Sequence, residues 1–423
     1  MSNYREIVKL INYWQLDAVN SKLFVRSVVS KIDAKSKEVV DIVGPRRAGK
    51  SFVLKLLIKN LGLKEGDFLY MNFEDPFFVE NNDPLVVGDI IEVYKEYFGK
   101  NLKYLFFDEI QNIKSWERSI RALRDGGDYK VFVTGSSSKL LSGELATALT
   151  GRHLSYWVFP LSFKEFLDFE GVVIENSKSV VVKENSLKNY FIKYLEMGGF
   201  PEVVLSKNPL LLKQYFFDVL EKDIIKRYDI REKEILQKIG VFVITNATKT
   251  ISLSSLERLY GISSAVVRNY LEYFKEAFLI FELSQFSYSL KTQQKVIKKY
   301  YCVDTGLANA VSFRFSEDKG RMLENAAFLH LKDRFDEIYY YKTKQGKEVD
   351  FLVKTASEYQ LFNVCWDLSD QKTRDREVKS LLEAMDEMGL TTGTIFTFEE
   401  EETLHFGERE IELSPLYKYP IVL

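Results

Sequence analysis

One stretch, Val39-Val-Asp-Ile-Val-Gly-Pro-Arg-Arg-Ala-Gly-Lys-Ser51, limits what this chain can fold into more than any other. An apolar strand runs directly into G-x-x-x-x-G-K-S, with Gly44, Gly49, Lys50 and Ser51 filling the pattern. The spacing has a chemical reason. Glycines let a loop wrap a triphosphate with its N–H groups turned inward, Lys50 reaches the β- and γ-phosphates, and Ser51 is placed for Mg²⁺. The helix expected from Lys50 onward turns the positive end of its dipole toward the anion. The strand before and the helix after are the context this motif needs. The run Gly44, Pro45, Arg46, Arg47, Ala48, Gly49, Lys50, Ser51 and Phe52 is therefore predicted to bind a nucleoside triphosphate.

Further along, Tyr104-Leu-Phe-Phe-Asp-Glu109 is an apolar run ending in two carboxylates. Alone it fits any strand that ends in an acidic turn. After a complete phosphate loop it predicts Asp108 in the Mg²⁺ shell and Glu109 as the group that orients and polarises the attacking water. Another strand, Tyr129 to Gly135, ends at Ser136, which either meets the γ-phosphate or caps the next helix. In Leu149-Thr-Gly-Arg-His153, Arg152 is a candidate for stabilising charge on the transferred phosphoryl group. Spacing alone fits a surface arginine as well.

Composition sets the surrounding limits. The chain has 423 residues, 46% hydrophobic and 28% charged, so an ordinary folded protein of several domains is expected. Its net charge of −2 means that nucleic-acid binding requires a local basic patch. Two cysteines and three scattered histidines support neither a disulfide framework nor a zinc site. The first residues lack the apolar core of a signal peptide and no run reaches bilayer length, so a cytoplasmic location without membrane partners is expected.

The segments Gly44–Ser51, Leu105–Gln111, Thr134–Leu141, Gly151–Arg152 and Phe159-Pro-Leu-Ser-Phe-Lys-Glu-Phe166 together resemble the archaeal and bacterial AAA-type ATPases that end in a DUF4143 domain. The resemblance implies an α/β fold: a P-loop NTPase (AAA+-like) core over 1–158, with Glu109 as catalytic base and Arg152 as an arginine finger acting in trans. Trans action implies a homo-oligomer, while action in cis and a monomeric switch are the alternatives the resemblance leaves open. A helical lid, holding Met197-Gly-Gly-Phe-Pro201, is expected over 159–235.

Residues 236–299 read as a winged helix. Two helices joined by Gly261, with Ser263 capping the second, form a helix-turn-helix. Ser264, Arg268, Asn269 and Lys275 are the candidate major-groove contacts, and a basic wing over 290–299 offers Lys298 to phosphates. Glutamates on the same helices suit a protein partner equally. Residues 300–423 resemble a restriction-endonuclease-like α/β domain, with Glu324 and Asp350 where acidic Mg²⁺ ligands belong. Its Glu-x-Lys strand reads Asn363-Val364-Cys365, so a degenerate nuclease fold is expected. The composite expectation is a Mg²⁺-dependent ATPase that handles DNA. The alternative is a nucleotide-gated protein switch with little turnover.

Overall fold

The computed structural model describes residues 2–99, 101–136, 149, 151–174, 177–289, 291, 296–312 and 318–419. The chain divides into two compact units, Met1–Phe159 and Pro160–Leu423.

The first unit is built on five parallel strands: β1 (Val39–Val43), β2 (Phe68–Asn72), β3 (Tyr104–Asp108), β4 (Lys130–Gly135) and β5 (His153–Trp157). Their order is β2-β3-β4-β1-β5, a doubly wound arrangement with β1 inside the sheet. Every residue of β1 is buried, as expected of a parallel strand covered on both faces. The sequence reading missed β5. Its alternating His-Leu-Ser-Tyr-Trp pattern was the available signal, and it pairs with β1 from Val39↔His153 to Val43↔Trp157. The edge strand β2 is closed by a side chain. Gln15, on the helix Ser2–Asn20, donates to the Phe68 carbonyl at 3.0 Å and accepts from the Tyr70 N–H at 2.7 Å. That pairing supplies backbone partners an exposed edge would lack.

The second unit begins with the helices Phe163–Phe169, Glu184–Met197, Pro201–Ser206 and Leu210–Val219. A three-stranded antiparallel sheet follows, made of β6 (Thr250–Ile251), β7 (Ile280–Leu283) and β8 (Lys298–Cys302) in the order β6-β8-β7. Helices Lys233–Thr245, Leu253–Tyr260 and Ser264–Glu276 accompany it. Gly261 ends the second of these with φ 66°, a left-handed turn that suits glycine, and the Ser263 hydroxyl accepts from the Val266 N–H. Beyond lie the helix Lys319–Lys332 and a six-stranded sheet: β9 (Glu337–Lys342), β10 (Glu348–Lys354), β11 (Tyr359–Val364), β12 (Thr392–Thr397), β13 (Glu402–Phe406) and β14 (Arg409–Pro415). The sheet order is β13-β14-β12-β11-β10-β9, and the helix Gln371–Met388 joins β11 to β12. One hydrophobic cluster runs through this unit from Leu161 to Tyr417.

Two glycine turns interlock in that cluster. The Asp304 carboxylate accepts from the Gly199 N–H at 2.7 Å and the Leu307 N–H at 2.8 Å. A Cβ on Gly306 would come within 2.2 Å of the Met197 carbonyl carbon and oxygen, and one on Gly199 within 2.3 Å of the Leu161 oxygen. The Gly-Gly-Phe-Pro turn is glycine-rich because backbone packs against backbone there. Among the described residues, no helix is long and apolar enough to cross a membrane.

Candidate nucleotide site

The loop leaving β1 bends as its glycines permit. Gly49 has φ 97°, and a Cβ on Gly44 would lie 2.0 Å from the Val158 carbonyl oxygen. Arg47 adopts φ 71°, a left-handed conformation that costs a non-glycine residue energy. The helix Lys50–Asn60 starts directly from this loop. Phe52 is exposed on its first turn. Arg26, from the segment before β1, holds the loop in place. Its guanidinium donates to the Ala48 carbonyl at 2.8 Å and to the Phe159 carbonyl at 2.7 Å.

Lys50 is buried, and its Nζ donates to the carbonyls of Gly44 at 3.2 Å and Pro45 at 3.1 Å. The same Nζ lies 3.5 Å from a carboxylate oxygen of Glu109. Glu109 sits just past β3 at φ 51°, a strained left-handed backbone position of the kind that collects at functional sites. Gln111 donates to its second carboxylate oxygen. Arg46 pairs with Glu74 at 2.7 Å.

Asp108 is fully buried beside it. Its carboxylate accepts from the Thr134 hydroxyl at 2.5 Å and the Tyr70 hydroxyl at 3.0 Å, with Ser51 a third donor. The Thr134 oxygen in turn accepts from the Glu109 N–H at 2.9 Å, so one hydroxyl joins both acidic residues. Burial, then the charge of Glu109, pushes the Asp108 carboxyl above its ordinary range. Burial pushes Glu109 the same way, but Lys50 and Gln111 outweigh it and hold that carboxyl below its ordinary range. Two adjacent carboxylates are thus shifted in opposite directions, Asp108 upward and Glu109 downward.

The structure therefore brings Gly44, Gly49, Lys50, Ser51, Asp108 and Glu109 to the C-terminal edge of the sheet. Ser136 is buried at the end of β4, and the helix expected after it falls on residues 137–148, outside the described ones. Arg152 is elsewhere. It precedes β5 at the start of the strands, and its Nη1 pairs with Asp125 at 3.2 Å. The five residues of β1 separate that end from the loop by roughly 16 Å at about 3.3 Å per residue. Sequence reasoning missed Tyr70, Thr134 and Arg26. Each acts through a partner distant in sequence, and only the polar character of Thr134 within an apolar strand was a signal.

In the second unit, Arg268 and Asn269 are exposed on the helix Ser264–Glu276. Ser264 donates to Glu257, and Lys275 pairs with Glu272 at 2.9 Å and Glu282 at 3.4 Å. Lys298 donates to the Ser284 hydroxyl at 2.8 Å. The rest of the expected wing includes Leu290 and residues 292–295, which lie outside the described residues.

Residues 36–167 match the model described as an AAA domain. Residues 188–318 match a domain of unknown function, DUF8612, and residues 319–419 match another, DUF4143. The uncharacterized protein MJ1544 of Methanocaldococcus jannaschii is 35% identical over 423 residues, covering 96% of this chain and 92% of the relative. An uncharacterized protein of Haemophilus influenzae is 28% identical over 353 residues, covering 80% of this chain and 85% of its own. Among solved structures, Cdc6p from Pyrobaculum aerophilum aligns over 75% of this chain and 94% of its own, at 11% identity and a TM-score of 0.28. The chain belongs to the family of AAA-type P-loop proteins with a C-terminal DUF4143 domain.

Proposed function

We propose that this protein is a Mg²⁺-dependent ATPase, converting ATP and water to ADP and phosphate. The observation that carries the reading is the convergence of Lys50, Ser51, Asp108 and Glu109 at one sheet edge, with Thr134 joining the two carboxylates. The loop N–H groups and Lys50 bind the phosphates. Ser51 and Asp108 are hard oxygen donors already in contact, a set that fits Mg²⁺ and would hold it. The bound ion supplies charge neutralisation of the phosphate oxygens. Glu109, kept ionised by Lys50 and Gln111, orients the attacking water and draws on its proton.

Arg152 lies too far from its own loop to act there, which supports a role at the nucleotide of a neighbouring copy and hence a homo-oligomer. The same separation favours a second reading, in which a single copy turns over slowly and serves as a nucleotide-gated switch. Helix Leu253–Tyr260, helix Ser264–Glu276 and the β6-β8-β7 sheet have the order of a winged helix, which supports DNA as the partner through Arg268 and Asn269. Phosphate release from ATP, measured with Mg²⁺ and with or without duplex DNA, tests the proposal. Release that is absent in both conditions, despite ATP binding, would leave the switch reading in its place.

A further inference from the structure

The second unit holds a cluster of acidic side chains that the ATPase reading does not use. Glu324 stands on the helix Lys319–Lys332, and Glu348 and Asp350 stand on β10. Lys299 enters among them from β8, a strand outside the six-stranded sheet. Its side chain is 4% exposed, and its Nζ lies 2.7 Å from Glu348, 3.3 Å from Glu324 and 3.5 Å from Asp350. An ammonium has three N–H donors, and three carboxylates lie within reach of this one. The carboxylates are themselves aimed. Glu324 accepts from the Tyr301 hydroxyl at 2.8 Å, and Asp350 from the Val364 N–H at 2.9 Å.

A nuclease-like domain would require a divalent ion between Glu324 and Asp350. The residues present do not fit one. The Lys299 ammonium already stands between them, 2.7–3.5 Å from an oxygen of each of the three carboxylates and 4% exposed, so a divalent ion could enter only if that side chain left. Among the described residues, no group of three or more His, Cys, Asp or Glu side chains could hold a metal ion. The strand that would carry Glu-x-Lys offers Asn363, whose amide donates to Glu377 at 3.0 Å and to Ser380 at 2.9 Å.

We propose that Lys299 is the resident cation of this carboxylate cage, taking the place of a divalent metal. The lysine belongs to β8, whose partners β6 and β7 accompany the helix-turn-helix. The ion cage therefore ties that module to the helix Lys319–Lys332 and β10. Removing one partner of such a buried cluster leaves charge unpaired. Removing the lysine also leaves three carboxylates with no cation among them, and they make a metal site only by drawing together from their present arrangement.

Iron-directed hydroxyl-radical cleavage of the full-length protein, with Fe²⁺, ascorbate and peroxide, tests this. The wild type is expected to show no backbone cuts near residues 324 and 350. Lys299→Met is expected to show cuts at both, lost again when Asp350→Asn is added. Asp350-dependent cuts in the wild type would overturn the proposal, as would a folded Lys299→Met variant that stays uncut. Should Lys299→Met fail to fold, the wild-type pattern alone still decides, because a metal bound beside Lys299 cuts there.

Discussion

The Nζ of Lys50 lies 3.5 Å from the Glu109 carboxylate while also donating to the carbonyls of Gly44 and Pro45. A phosphate arriving at the loop competes with that carboxylate for the ammonium. Lys50→Ala removes a charge-assisted contact worth about 1.5–3 kcal/mol, so ATP affinity is expected to fall by roughly 10- to 150-fold. Isothermal titration with ATP·Mg²⁺ checks it, with retained thermal stability as the control.

Thr134 joins Asp108 to the Glu109 backbone through one hydroxyl. Thr134→Val keeps the side chain's shape and leaves both partners without it, a loss of about 1–3 kcal/mol. Turnover is expected to fall by roughly one to two orders of magnitude, with nucleotide affinity much less affected. Thr134→Ser, which restores the hydroxyl, recovers most of it. Steady-state kinetics on both variants make the comparison.

The turns at Gly199 and Gly306 pack against carbonyl groups with no space for a methyl. Gly306→Ala must push Met197 aside, an overpacking cost of about 1–3 kcal/mol. Calorimetry is expected to show the transition of the second unit lowered by several degrees. Gly389, which ends the helix Gln371–Met388 and has open space around its Cβ position, is the comparison site. There alanine meets only the strain of a positive φ.

His153 accounts for a pH dependence in the first unit. Its Nδ1 lies 2.8 Å from Asp41, and that hydrogen bond, outweighing burial, raises the imidazole above its ordinary 6.5. The folded state holds the proton more tightly, so this stabilisation is complete below about 6.5 and is lost as pH rises through the raised value. Thermal melts of the wild type are expected to fall across that interval, and those of His153→Gln to fall less.

The local motifs were legible because their chemistry is local. The phosphate loop, the strand ending at Asp108–Glu109 and the capped helix at Ser263 each depend on neighbours in sequence. What was hidden lies in pairings across the fold. Arg26 reaches Phe159, Thr134 reaches Asp108, and Lys299 reaches Asp350, and spacing cannot report a partner on another strand. Strand β5 was obscured for a related reason: it is an edge strand, half-buried, and its apolar pattern is short. The Asn363-Val364-Cys365 departure was legible, but the lysine seated in the carboxylate cage arrives from β8.

The exposed pair Arg268 and Asn269 makes the DNA reading testable apart from catalysis. If Arg268 contacts a phosphate, Arg268→Ala weakens duplex binding uniformly across sequences and lowers the salt slope by about one. A contact to a base edge instead gives sequence-dependent loss. Fluorescence anisotropy at several salt concentrations distinguishes the two.

The central claim is that Glu109 activates water beside a phosphate held by Lys50. Its most direct test measures ATP binding and single-turnover phosphate release for wild type and Glu109→Gln in Mg²⁺. The account predicts that Glu109→Gln binds ATP at least as tightly, having lost the competitor for Lys50, and hydrolyses it slower by roughly 10²-fold or more. Equal hydrolysis rates in the two proteins would contradict it.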